Sequence, residues 1–170
     1  MKKYELTAES IMKFGRTLFR IKALVAFGDV KEGELGGFVE KEENLDQSGA
    51  AWVSGAAQVF GDARVSGDAQ VFGDTQVFGD AQIFKTSHYL VVGPLGSRDD
   101  FTTFFRTKHL TIGVKCGCFR GDIDQFFEAV EKTHGNNKYA RAYRAAIALA
   151  KLQIDLDEEG SDEEETGKES

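Results

Sequence analysis

The sequence predicts a mainly β protein: a short solenoid of stacked strands, a small α+β domain, and a disordered acidic tail. Three observations carry this. A six-residue pattern, Gly-Asp-Ala-x-Val-x, runs from Gly49 to Phe84. Residues 85–154 lose the pattern and turn basic, with eleven Lys and Arg against six Asp and Glu. Residues 155–170 hold nine acids, one base and almost nothing apolar to bury, which is the composition of a disordered segment. With residues 1–84 at −4, the pieces at +5 and −8 give the net charge of −7.

The 170-residue length suits one ordinary domain or two small ones, and a 41% hydrophobic content is enough for a packed core. No apolar run approaches the roughly 18 residues of a spanning helix, so no membrane association is expected. Met1-Lys2-Lys3-Tyr4-Glu5 leads into no apolar signal segment. Two cysteines make no disulfide framework, and Cys116 and Cys118 are too close for an easy mutual bridge. The expectation is a cytoplasmic protein with reduced thiols.

The repeat comes first in the chain. Six hexads follow one another, from Gly49-Ala50-Ala51-Trp52-Val53-Ser54 to Gly79-Asp80-Ala81-Gln82-Ile83-Phe84. By the same count, Val39 and Leu45 fall on the Ala position. Ala and Val, two apart, share one side of an extended segment. Gly-Asp supplies turn chemistry, because Gly tolerates positive φ and Asp bonds nearby amides. A Gly every sixth residue excludes a helix, and four-residue strands are too short for hairpins. Short strands stacked in parallel around corners satisfy the pattern.

This repeat resembles the hexapeptide motif of left-handed parallel β-helices, in which three hexads make one 18-residue coil. The resemblance implies that Val53 stacks on Val71, Val59 on Val77 and Val65 on Ile83, with an irregular coil over residues 30–48. Gly36-Gly37-Phe38-Val39-Glu40, Asn44-Leu45, Ala51-Trp52-Val53 and the opening Lys3-Tyr4-Glu5-Leu6-Thr7 are similar to the start of bacteriophage-borne hexapeptide-repeat proteins. It covers residues 2–84 and implies a short left-handed parallel β-helix with an N-terminal cap over residues 1–84. The residues after each Val point outward, and Phe60, Phe72, Phe78 and Phe84 would form an exposed aromatic ladder. The expectation is that the C-terminal half or a homo-oligomer, by resemblance a trimer, covers it.

After Phe84, Tyr89–Val92 reads as a strand and Gly93-Pro94-Leu95-Gly96 as a turn. Thr102–Arg106 and Thr111–Phe119 read as a hairpin. Asp122 is a helix N-cap, Gly135 the stop, and Asn136-Asn137 opens a longer helix. Residues 85–154 thus read as an α+β module, which resembles an uncharacterised phage domain through Gly117–Gly121 and His134–Tyr139.

Enzyme chemistry finds little support here. Hexapeptide-repeat acyltransferases, the first alternative, have more coils and a histidine at a subunit cleft, whereas His88, His109 and His134 all follow the repeat. That placement also argues against a three-histidine metal site. Cys116 and Cys118, read on one strand face, are small apolar fillers rather than zinc ligands, and neither has an evident base nearby. No cofactor and no metal are expected. The remaining signal is an anion- or partner-binding set: Arg106, Lys108, Lys115 and Arg120 along the strands, with Arg98 near them, and Lys138, Arg141 and Arg144 on one helical face. The functional expectation is a non-enzymatic, phage-derived binding protein in the cytoplasm of a bacterial host. It would interfere with a defence system by binding a host protein or sequestering an anionic nucleotide signal. A structural virion component is the second alternative. The acidic tail reads as a solubiliser or as a competitor folding onto the basic module.

Overall fold

In the computed structural model, residues 1–157 are described; the chain divides into two units, Met1–Thr86 and Ser87–Ser170. Most of the predicted acidic tail, residues 158–170, lies outside the described residues.

The first unit opens with an antiparallel hairpin, β1 (Tyr4–Lys13) and β2 (Arg16–Ala23). The two-residue turn between them, Phe14-Gly15, has both φ values positive, the twist that tight hairpins prefer. The third strand, β3 (Leu35–Val39), pairs antiparallel with β2 and parallel with β5 (Gln58–Val59), which pairs with β8 (Gln76–Val77). Separate two-stranded parallel sheets join β4 (Trp52–Val53) to β7 (Gln70–Val71) and β6 (Arg64–Val65) to β9 (Gln82–Ile83). The unit is mainly β.

The expectation of a single left-handed parallel β-helix over residues 1–84 is corrected by this topology. The strands sort into several small sheets, the largest a mixed five-stranded one in the order β1-β2-β3-β5-β8. Two physical reasons account for it. An antiparallel hairpin, invisible to a hexad count, occupies the N-terminus and joins β3. Each hexad also contributes a strand of only two residues, so the corners interrupt pairing before the ladders can merge.

Local features of the repeat are seen directly. Val53 pairs with Val71, Val59 with Val77 and Val65 with Ile83, each 18 residues on, and all six are buried. At the corners, Gly55, Gly61 and Gly67 take positive φ, and Ala57, Ala63 and Ala69 donate back three residues to Ser54, Phe60 and Ser66. Val39 and Leu45 depart from the six-residue count. They face Val59 and Val65, 20 residues on, and so take the Val position instead of the Ala position. Two extra residues in the segment between Leu45 and Ala51 produce the shift.

Buried polar groups tie the start of the chain to this segment. Asn44 is fully enclosed; its Oδ1 accepts from the Glu40 and Lys41 amides at 3.1 and 2.9 Å, and its Nδ2 donates to the Gly61 and Ala63 carbonyls at 3.1 and 2.9 Å. Lys3 donates to the carbonyls of Ser48, Gly49 and Ala51 and lies 4.8 Å from the Phe27 ring centre. Burial holds its ammonium below the usual lysine range, against the pull of Asp46. The Tyr4 hydroxyl, its pKa pushed up mainly by burial, donates to the Leu45 carbonyl at 2.6 Å.

The aromatic ladder is partly covered from within the unit. Phe60 is only 1% exposed, packed with Leu18 and Phe38, and stacked between Phe14 at 5.5 Å and Phe78 at 5.6 Å. The hairpin is a cover that neither sequence alternative named. Phe78 and Phe84 are half-buried, and Phe72 is 50% exposed.

Close approach makes Gly36 a sensitive position. A Cβ there would lie 2.5 Å from the Val53 carbonyl oxygen and 2.7 Å from both Ile21 and Trp52. Because the nearest atom is backbone, β3 would have to move. Gly36→Ala should therefore cost about 2–3 kcal/mol in urea unfolding, as overpacking does; an unchanged midpoint would contradict this packing.

The second unit is an antiparallel meander, β10 (Tyr89–Leu95), β11 (Asp100–Arg106), β12 (Ile112–Cys116) and β13 (Phe119–Asp122), followed by α1 (Ile123–His134) and α2 (Lys138–Gln153). The predicted turn at Gly93–Gly96 moves forward, because β10 runs to Leu95 and the turn occupies residues 96–99. The predicted strand Thr111–Phe119 is cut by a turn at Gly117-Cys118, which yields a fourth strand. Asp122 caps α1 by accepting from the Gln125 amide, and Asn137 caps α2 by accepting from the Ala140 amide. Phe104, Val114, Phe126, Val130, Tyr143 and Ile147 join sheet and helices in one core.

The tail expectation is also corrected at its start. Ile154 is buried, Leu156 packs against this core, the Asp155 amide reaches the Ser87 carbonyl, and the Asp157 carbonyl accepts from Arg106. An apolar residue on each side of Asp155 anchors a segment that composition alone assigns to disorder. No helix among the described residues is long and apolar enough to cross a membrane.

Candidate ligand cleft in the C-terminal unit

The sequence-predicted cations separate into different environments. Arg106 is 3% exposed; its Nη1 donates to His88 Nε2 at 2.9 Å and its Nη2 to the Asp157 carbonyl at 2.9 Å. A guanidinium has no acceptor, so this contact makes His88 Nε2 the unprotonated nitrogen. Lys115 is 6% exposed and donates to the Gly117 carbonyl. Burial, and then the Arg120 charge paired opposite on β13, hold its pKa below the usual lysine value. Both side chains are internal rather than displayed on a binding face.

The helical trio is largely engaged in holding α1 against α2. Arg144 Nε meets Glu131 at 2.6 Å, Nη2 donates to the Gly135 carbonyl at 2.7 Å, and Nη1 to Asn136 Oδ1 at 3.0 Å. Arg141 donates to the Asn136 carbonyl at 2.9 Å. Cations at the end of a helix satisfy its last carbonyls and complement its dipole. The Arg144 hydrogen bond lowers the Glu131 carboxyl pKa, so this pairing is present above the ordinary carboxylate range and fades as pH falls through the lowered value. Lys138 lies beside the Tyr139 ring, while Lys108, Arg120 and Lys138 are exposed.

A different set of residues surrounds a cleft of about 450 Å³. The turn after β10 contributes Ser97 and Arg98, and β11 begins with Asp100. The hairpin turn contributes Cys116, Gly117 and Cys118, the end of α1 contributes Thr133 and His134, and α2 contributes Tyr143. Tyr143 forms the inner wall, stacked on His134 at 5.9 Å and edge-on to Phe126 at 5.5 Å. Burial pushes its phenol pKa up, so it keeps its proton and its donor. A Cβ at Gly96 would strike the Tyr143 hydroxyl, which is why the turn passes so close over that ring. Ser97, Arg98 and Thr133 are exposed, and their side-chain donors have no hydrogen-bond partner among the described residues.

Comparison of the chain with protein-family models and with curated proteins returns no match. The cleft is therefore read from its own chemistry.

Its volume lies within the roughly 300–1,000 Å³ of small-molecule sites. Its rim offers one guanidinium, two hydroxyls and an imidazole as donors, with one carboxylate as acceptor. Asp100 spends one oxygen on the Phe101 amide at 2.8 Å. Among the described residues, no group of three or more His, Cys, Asp or Glu side chains comes together to hold a metal ion. The sequence offers Arg98 among the module's cations and Tyr143, with Phe104, Phe105, Phe119 and Tyr139, among aromatics able to stack on bases; it does not offer His134, and it does not bring the three together. No spacing could do so, because His134 and Tyr143 meet the hairpin turn only after α1 and α2 fold back on the sheet.

Proposed function

We propose that this chain is a non-enzymatic binding protein whose second unit takes a small anionic ligand of nucleotide chemistry. The observation that carries the reading is the set of uncommitted donors around one cleft: Arg98 with Ser97 and Thr133. Guanidinium and hydroxyl donors suit phosphate oxygens. Asp100 supplies the complementary acceptor that a sugar hydroxyl or base amine needs, which favours a nucleotide over a bare anion. The setting comes from the resemblance of residues 2–84 to phage-borne repeat proteins: a protein acting in the cytoplasm of a bacterial host, interfering with a defence system by withholding a nucleotide signal. A homo-oligomer, by the same resemblance a trimer, belongs to this reading and would meet through rings other than the enclosed Phe60.

Calorimetric titration with mono-, di- and cyclic nucleotides, with inorganic phosphate alongside, tests the site. Binding of at least one nucleotide is expected, with affinity falling as salt rises. Arg98→Glu should weaken it roughly ten- to hundredfold, the scale of one charge-assisted hydrogen bond. Unchanged affinity in that variant, or no binding of any nucleotide by the wild-type chain, would overturn the reading.

A further inference from the structure

The two cysteines have a different relation from the one their spacing suggests. On a continuous strand, residues 116 and 118 would be two fillers on the same face. Here Cys116 ends β12, Phe119 opposite it begins β13, and Gly117-Cys118 is the intervening two-residue turn, with Gly117 at φ +56°. Glycine first in such a turn is the requirement of its type. Both thiols are free and both line the cleft, Cys118 exposed and Cys116 half-buried. This geometry departs from the expectation that the pair is too close for an easy mutual bridge: Cα atoms separated by one residue are at most about 7.6 Å apart, and the turn brings them within the roughly 4.4–6.8 Å that disulfides span.

The surroundings distinguish the two sulfurs. Thr102, fully buried, donates its hydroxyl to Cys116 Sγ at 3.2 Å, and the Tyr143 hydroxyl lies 3.7 Å from the same sulfur. Of these two contacts, Thr102 is the donor to the sulfur, while the Cys116 thiol donates to the Tyr143 oxygen, so a Cys116 thiolate would keep the Thr102 donor inside the protein. Cys118 has the open approach, and His134 lines the same cleft.

We infer that Cys116 and Cys118 form a thiol–disulfide exchange site whose substrate is a low-molecular-weight disulfide entering the cleft. Cys118 gives up its proton and attacks one sulfur of R–S–S–R. The new bond joins Cys118 to RS, the original S–S bond breaks, and the second RS leaves, takes a proton and departs as RSH. Cys116 then loses its proton and attacks Cys118 Sγ, forming the internal disulfide and expelling the remaining RS as a second RSH. Two protein thiols are oxidised by two electrons, and one disulfide is reduced to two thiols. The inference uses the sulfurs and their donors and does not depend on the anion reading.

The full chain is incubated with glutathione disulfide, and its intact mass is followed with time. The wild type should convert to a species lighter by two hydrogens, with little glutathione adduct accumulating. Cys116→Ser should stop at a mixed disulfide on Cys118, and Cys118→Ser should stay largely unmodified over the same interval. Thr102→Val should slow loss of the adduct without slowing its formation, a split that a merely structural role would not produce. In denaturant the difference between the two single variants should vanish. A wild-type chain that accumulates a stable adduct, or two single variants that react at equal rates when folded, would overturn the assignment.

Discussion

Asn44→Ala should lower the unfolding free energy by about 3–6 kcal/mol. The side chain makes four hydrogen bonds from a fully enclosed position, two as acceptor to the Glu40 and Lys41 amides and two as donor to the Gly61 and Ala63 carbonyls. Each such bond contributes roughly 0.5–1.5 kcal/mol, and a buried partner left without one costs about 1–3 kcal/mol. The lower end of the range applies if water reaches the vacated site. Against a typical stability of about 5–15 kcal/mol, this is a large fraction. Asn44→Asp should be nearly as damaging, because a carboxylate would face two carbonyl oxygens in place of the amide's N–H groups. Urea unfolding monitored at Trp52 checks both. A loss under about 1 kcal/mol would show that backbone contacts alone hold the segment around Leu45.

Val65→Asp should cost a similar amount, roughly 3–6 kcal/mol, for a different reason. Val65 is buried between Leu45 on one side and Ile83 on the other. The substitution forfeits about 1.5–3 kcal/mol of apolar burial and adds the burial of a carboxyl group, about 1–3 kcal/mol even when it takes up a proton. The sign with pH follows from that proton. A carboxyl that must be neutral in the fold has its folded pKa raised, so the penalty is largest above that value and relaxes as pH falls through it. The stability gap between variant and wild type should therefore be smaller near pH 4 than near pH 7. A gap that stays constant, or a variant that melts like wild type, would place residue 65 at the surface.

Much of the repeat was legible because its determinants are local. The Gly-Asp corners, the buried Ala and Val, and the 18-residue spacing of Val53 to Val71 follow from turn chemistry and side-chain alternation within a few residues. Likewise the caps Asp122 and Asn137 announce α1 and α2, since each side chain bonds an amide three residues on. The β1–β2 hairpin was not legible. Its turn is Phe14-Gly15, and a bulky aromatic is an unusual residue at positive φ, so the usual Asn-Gly signal is missing. With the hairpin unseen, the enclosure of Phe60 was unseen too, and a ring read as an outward contact surface proved to be core.

The candidate site was legible only in part, for the same reason. Arg106 and Arg144 have the sequence signature of an anion-binding surface, yet one is committed to His88 and the Asp157 carbonyl and the other to Glu131 and the end of α1. Residue type records a charge; its availability depends on which partners the chain brings to it over separations of 9 to 51 residues. Cys116, Cys118, Arg98 and His134 show the converse, since each alone is unremarkable. Their common cleft exists because the meander returns two turns to one end of the sheet and α1 ends beside them. Sequence by itself thus determined the short-range features, the corners, caps and strand faces, whose energies are settled between near neighbours. Tertiary structure alone decided which charges are spent internally and which thiols share a cavity, because those contacts form only when distant segments pack and exclude water.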